Sequence, residues 1–121
     1  MGRFLLTLWG DESMYTDMPE EDLARSMKEY WELGDELQNA GVIRAGEAVE
    51  PTASARSVRV RDGRAAITDG PFAETKDQLG GFYLLECRDM DEALRWAEKV
   101  PAARDGVVEV RPVQEFPERA E

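Results

Sequence analysis

The sequence predicts an α+β fold: an antiparallel sheet carrying two helices, with a β-hairpin inserted between two β-α-β passes. Three observations lead there. Strand-like runs at 3–9 and 79–88 are apolar on both faces. Runs at 42–49 and 107–113 mix apolar and charged residues. A helical pattern with three- and four-residue apolar spacing follows each doubly apolar run.

The elements follow in order. Residues 3–9 form the first strand, and Asp11 to Met18 form a polar loop. Pro19 suits the first turn of a helix, and Glu20, Glu21 and Asp22 complement its positive end. Leu23, Met27, Tyr30, Trp31, Gly34 and Leu37 make one apolar helical face, and Gly41 supplies a left-handed stop. A strand spans 42–49, interrupted by Gly46, and Pro51 to Ala55 connect it onward. Ser57 to Arg61 alternate, Asp62-Gly63 is a hairpin turn signal, and Arg64 to Thr68 run back. Gly80-Gly81 opens the next strong strand, which ends near Arg88. Asp89 then serves as N-cap with Glu92 three residues on. Met90, Ala93, Leu94, Ala97 and Val100 line a helix face flanked by Trp96, and Pro101 ends it. Residues 107–113 close the domain, which covers 1–113; the polar tail 114–121 is expected to fray.

This order is the split βαβ, ferredoxin-like pattern, which places the two doubly apolar strands at the centre and the mixed strands at the edges. Both helices then fall on one face of the sheet. The other face would carry several of Phe4, Leu6, Leu8, Phe82 and Leu84, or their alternates. A bare apolar face of that size calls for a two-fold homodimer. If Val108 and Val110 point at the helices, Glu109 and Arg111 point into the dimer cleft.

Composition excludes several functions. The chain has 121 residues, 42% hydrophobic and 34% charged, which fits one folded domain rather than a disordered segment. Net charge is −11, which argues against nucleic acid and anionic membrane as partners. Arg56, Arg59, Arg61 and Arg64 are read as the solvent side of the hairpin. No apolar run approaches the roughly 20 residues that span a bilayer. Asp11 and Glu12 follow the first apolar run at once, so it reads as a strand rather than a secretion signal. Cys87 is the single cysteine, expected to be a packed hydrophobe, which suits a reducing cytoplasm. There is no histidine, which removes the commonest general base and the usual zinc and haem ligands. No cofactor is evident, and no carboxylate spacing marks a metal site.

The most distinctive segment is Asp69-Gly70-Pro71-Phe72, extended by Ala73, Glu74, Thr75, Lys76, Asp77 and Gln78. One reading is a turn, with Asp bonding local backbone and Gly taking an unusual φ. The other is a site, since carboxylates and an ammonium within a few residues can serve acid–base chemistry or clamp an anion.

The whole run from Asp69 to Phe82 resembles the signature of the DGPF branch of the YCII-related proteins. Gly46-Glu47-Ala48, Val58 to Gly63 and Val108 to Val113 also match, so the similarity covers about residues 3–115. The resemblance implies a dimeric α/β barrel of two ferredoxin-like protomers, related to muconolactone isomerase. A His-Asp active pair suggested for the wider group cannot be carried over whole, and Asp69 is its remaining half. The resemblance also implies an association with extracytoplasmic-function sigma factors. Two functions follow as expectations. One is a ligand-binding or interaction module taking a small polar or anionic ligand. The other is a proton-transfer enzyme with Asp69 as acid or base. In either, Glu47, Gly70, Pro71, Phe72, Glu74, Lys76 and Arg111 complete the candidate site. A haem enzyme is disfavoured by the absent histidine.

Overall fold

The computed structural model describes residues 1–119. Strand β1 (Gly2–Gly10) leads through a single helical turn, α1 (Ser13–Thr16), into the long helix α2 (Glu20–Ala40). Strand β2 (Ile43–Ala48) follows, then a 3-10 turn at Thr52–Ser54 and the hairpin β3 (Arg56–Arg61) and β4 (Arg64–Asp69). Strand β5 (Gln78–Cys87), helices α3 (Met90–Glu98) and α4 (Ala102–Asp105), and strand β6 (Val107–Pro112) complete the fold. The main sheet is antiparallel in the order β2-β5-β1-β6, and β3-β4 form a separate two-stranded sheet. This is the ferredoxin-like arrangement, with the doubly apolar strands β1 and β5 in the middle.

Local chemistry sets the element ends. Pro19 caps α2, and Glu20, Glu21 and Asp22 occupy its first turn. Gly41 ends the helix at φ 72°, a conformation costly for any residue with a Cβ. At α3 the Asp89 carboxylate accepts the Glu92 N–H at 2.9 Å, and the Glu92 carboxylate accepts the Arg88 N–H at 2.8 Å. Pro101 stops α3 and begins α4, whose single turn lies against β1 and β6.

Register assigns the faces. Leu6 lies opposite Tyr83 and Val110, while Leu5 lies opposite Leu84 and Arg111. Phe4, Leu6, Leu8, Leu85 and Cys87 therefore form the helix side, where they bury against Leu33, Leu37, Ala93, Ala97 and Val100. Each fully buried aliphatic side chain contributes roughly 1.5–3 kcal/mol of transfer energy. Leu5, Trp9, Phe82 and Leu84 occupy the side that carries no helix. The apolar stripe on that side thus consists of the alternates on β1 and of Phe82 and Leu84 on β5. Val108 and Val110 pack on the core, and Glu109 pairs with Arg111 at 3.0 Å on the opposite side.

Two helix faces depart from expectation. On α2, Leu33 and Leu37 are buried, but Leu23, Met27 and Trp31 are exposed. The four-residue steps from Leu23 to Trp31 drift off the Tyr30-Leu33-Leu37 stripe, so only one stripe meets the sheet. On α3, Ala93 and Ala97 let the helix approach closely, and Leu94 is turned outward. The tail is partly tied down. Val113 N–H donates to the Arg3 carbonyl at 2.9 Å, and Arg3 pairs with Glu115 at 3.3 Å. Residues 120 and 121 of that tail lie outside the described residues.

Candidate functional site

A cavity of about 680 Å³ lies between α2 and one end of the main sheet. Its floor is Leu8 of β1, Gly46 and Ala48 of β2, and Gly81 and Tyr83 of β5. Tyr30 and Trp31 of α2 form one wall, and Met14, Tyr15 and Met18 around α1 form another. Ala102, Asp105 and Gly106 close the far end. Gly46 shapes the floor directly. A Cβ there would sit 2.9 Å from the Tyr83 ring, so the missing side chain lets that ring lie flat across β2.

All three tyrosines of the chain and two of its three tryptophans line this space. Burial raises the pKa of the Tyr83 hydroxyl and, more strongly, of the Tyr30 hydroxyl above the usual phenol value, so both stay protonated at any physiological pH. Tyr15, Tyr83 and Ala102 line the same space as Tyr30. No lysine or arginine lines the cavity among the described residues; the charged lining groups are Asp11, Glu12, Glu47, Glu50 and Asp105.

Glu12 holds the mouth together. Its N–H donates to Gln78 Oε1 at 3.0 Å, and its carboxylate accepts the Thr52 N–H at 3.0 Å and the Thr52 hydroxyl. The α1 turn, the 3-10 turn and the start of β5 thus meet at one side chain. Asp11 accepts the Ser13 hydroxyl at 2.6 Å and the Ser13 N–H at 3.0 Å, which lowers its pKa with a smaller contribution from Lys76. Cys87 is fully buried in the core, and burial raises its thiol pKa, as do Glu92 and Asp89.

The candidates from the sequence fall in several places. Glu47 is among the residues around the cavity, but its register opposite Phe82 turns its side chain to the helix-free side; Lys76, which helps lower the Asp11 pKa, is not among the lining residues. Asp69 ends β4, where its carboxylate faces Arg56 across the hairpin at 3.5 Å with the side chain 92% exposed. Gly70 takes φ 89°, donates to the Ala55 carbonyl at 2.7 Å and accepts the Ser57 hydroxyl at 3.0 Å. Those bonds make the Asp69-Gly70 step a turn that closes the base of the hairpin. Pro71, Phe72 and Glu74 are exposed on the following loop. Arg111 lies on the helix-free side of the sheet. Asp69, Gly70, Pro71, Phe72, Glu74 and Arg111 therefore do not line this protomer's cavity.

The residues that sequence reasoning passed over are Tyr15, Tyr30 and Tyr83. A usable signal was present, since Gly46 interrupts a strand and such glycines mark close approach of another group. Among the described residues, no group of three or more acidic or thiol side chains is arranged to hold a metal ion.

The YCII-related domain matches residues 10–117. An uncharacterised protein of Rhizobium meliloti (strain 1021) is 35% identical over 112 residues, which cover 91% of this chain and 90% of the relative. Matches of that extent, on a chain with this strand order, show that it belongs to the YCII-related family.

Proposed function

We propose that the protein is a homodimeric small-ligand-binding module whose ligand occupies the aromatic cavity of each protomer. The observation that carries this reading is the cavity itself. It is large enough for a drug-sized molecule, mostly apolar, and has a few polar groups along its walls. Trp31 at its side is 65% exposed, a large area for an aromatic ring with no partner.

Two apolar surfaces support the dimer. Leu5, Trp9, Phe82 and Leu84 lie together on the helix-free side of the sheet, bordered by charges of both signs. The hairpin presents Val58, Val60 and Ile67 on one side, all more than half exposed. A second copy packed face to face would cover the first surface, and a two-fold contact pairs its mixed charges with themselves.

The alternative, a proton-transfer enzyme using Asp69, needs that carboxylate in a cavity. In the protomer it stands in solvent beside Arg56. An association with a sigma factor rests on the resemblance alone.

A thermal-shift screen of small aromatic compounds, run on wild type and on Trp31→Ala, tests the reading. Binders should raise the wild-type midpoint by at least about 2 °C and raise that of Trp31→Ala much less. If no compound stabilises the wild type, or if Trp31→Ala responds equally, the cavity is not a ligand site.

A further inference from the structure

From the chemistry of the cavity lining, we infer that the ligand is an organic cation: an apolar, aromatic body that fills the cavity, with an ammonium group at the mouth facing Glu50 and Asp105. This deepens the ligand-binding reading and rests on it. The site is the cavity, and the carboxylates decide the sign of its guest. Tyr15, Tyr30, Trp31 and Tyr83 bring four aromatic rings to the space, and Met14 and Met18 add polarisable thioethers. The faces of phenol and indole rings carry partial negative charge, so they accept an apolar body and a cation alike.

The sheet brings the two carboxylates to one end of the cavity. A row of facing residues crosses the whole sheet, from Ala48 on one edge through Gly81 and Leu8 to Val108 on the other. Glu50 lies two residues beyond one end of that row, and Asp105 lies three residues before the other. Two contacts fix these positions. The Glu12 carboxylate accepts the Thr52 N–H at 3.0 Å, which ties the chain after Glu50 to the end of β1. Gly106, next to Asp105, packs so closely on the Trp9 carbonyl that a Cβ would not fit.

Both carboxylates are available to a guest. Each is exposed, and no ion pair among the described residues uses either one. Arg104, the cation beside Asp105 in sequence, pairs instead with Glu29 of α2. The other acids around the cavity are committed elsewhere: Glu12 to Thr52, Asp11 to Ser13, and Glu47 to the helix-free side. They add to the negative field without making the contact. Among the described residues no lysine or arginine lines the cavity, so an anionic guest meets repulsion and no partner. Burying a bare ammonium is costly, so the charge stays at the wet mouth while the body lies against the rings.

Quenching of tryptophan fluorescence, titrated with three naphthalenes of similar size, tests this. The probes are 1-naphthylmethylammonium, 1-naphthylmethanol and 1-naphthoate. The proteins are wild type, the double variant Glu50→Gln/Asp105→Asn, and Glu98→Gln, which removes an exposed charge from α3 outside the cavity. All these substitutions are at exposed positions, so the variants should fold, as a circular dichroism melt would verify. Wild type should bind the ammonium about fivefold more tightly than the alcohol, and the carboxylate most weakly. In the double variant the ammonium preference should fall to near unity while alcohol binding is unchanged. Glu98→Gln should keep the preference, because salt screens distant charges. Equal binding of ammonium and alcohol by wild type overturns the inference and leaves the ligand-binding reading standing. Tightest binding by the carboxylate does the same, as does a preference that survives in the double variant or is lost equally in Glu98→Gln. If none of the three binds, the ligand-binding reading falls with it.

Discussion

Replacing Leu6 with Ala and Leu5 with Arg separates the two sides of β1. Leu6 is 1% exposed, opposite Tyr83 and Val110 and facing the core that Leu33 and Leu37 complete. Truncating a buried Leu to Ala costs about 2.7–5 kcal/mol, the spread reflecting how far the site collapses. A site enclosed by a sheet and helices collapses partially, which places Leu6→Ala near about 3.5 kcal/mol. With a urea m-value of about 1.5–2 kcal/mol per molar, the unfolding midpoint drops by about 2 M. Leu5 faces away from the helices, beside Leu84 and Arg111. In an isolated protomer, Leu5→Arg leaves its long stem along the sheet and its charge in water, at a cost under about 1 kcal/mol. In a face-to-face dimer the same charge lies at the centre of the contact and splits the pair. Urea titrations followed by tryptophan fluorescence, at two protein concentrations a hundredfold apart, resolve these cases. For a dimer the concentration step adds about 2.7 kcal/mol of apparent stability. Wild type and Leu6→Ala should both show that step, and Leu5→Arg should not. Equal losses in the two variants would refute the face assignment, and a concentration-independent wild-type curve would refute the dimer.

Two further outcomes follow from the core and the helix cap. The folded pKa of Cys87 is raised, so the neutral thiol favours the native state below the unfolded thiol pKa, and that contribution is lost as pH rises through the folded value. Stability from denaturant titrations should therefore decline above about pH 9, and at pH 8 a thiol reagent should label native protein at least about a hundredfold more slowly than unfolded protein. Asp89→Ala removes the α3 cap and should cost about 1 kcal/mol, whereas Asp89→Asn should retain most of it; parallel urea curves would show the difference.

The strand order was legible because composition differs between central and edge strands. Arg44, Glu47, Glu109 and Arg111 mark the edges, while the runs around Leu6 and Leu84 are apolar throughout. That same property hid the parity of β1, since a strand apolar on both sides does not announce which side meets the helices. The α1 turn, Ser13–Thr16, is too short to show any periodicity. The cavity was illegible for a different reason. Tyr15, Tyr30 and Tyr83 lie on three separate elements, and each alone looks like ordinary loop, helix or strand material. Asp69 drew attention because its neighbours in sequence are chemically rich, but a hairpin end carries them outward together.

The hairpin has a consequence for motion. Strands β3 and β4 pair with each other and pack substantially against no other element. A two-stranded ribbon of this kind is only marginally stable by itself. Its amides should exchange with solvent through a local opening of small free energy, while those of β1 and β5 wait for the whole domain to unfold. Hydrogen exchange along the chain therefore contains a reporter for whatever rests on Val58, Val60 and Ile67. A molecule covering that side would slow exchange from Arg56 to Asp69 and leave the central strands unchanged.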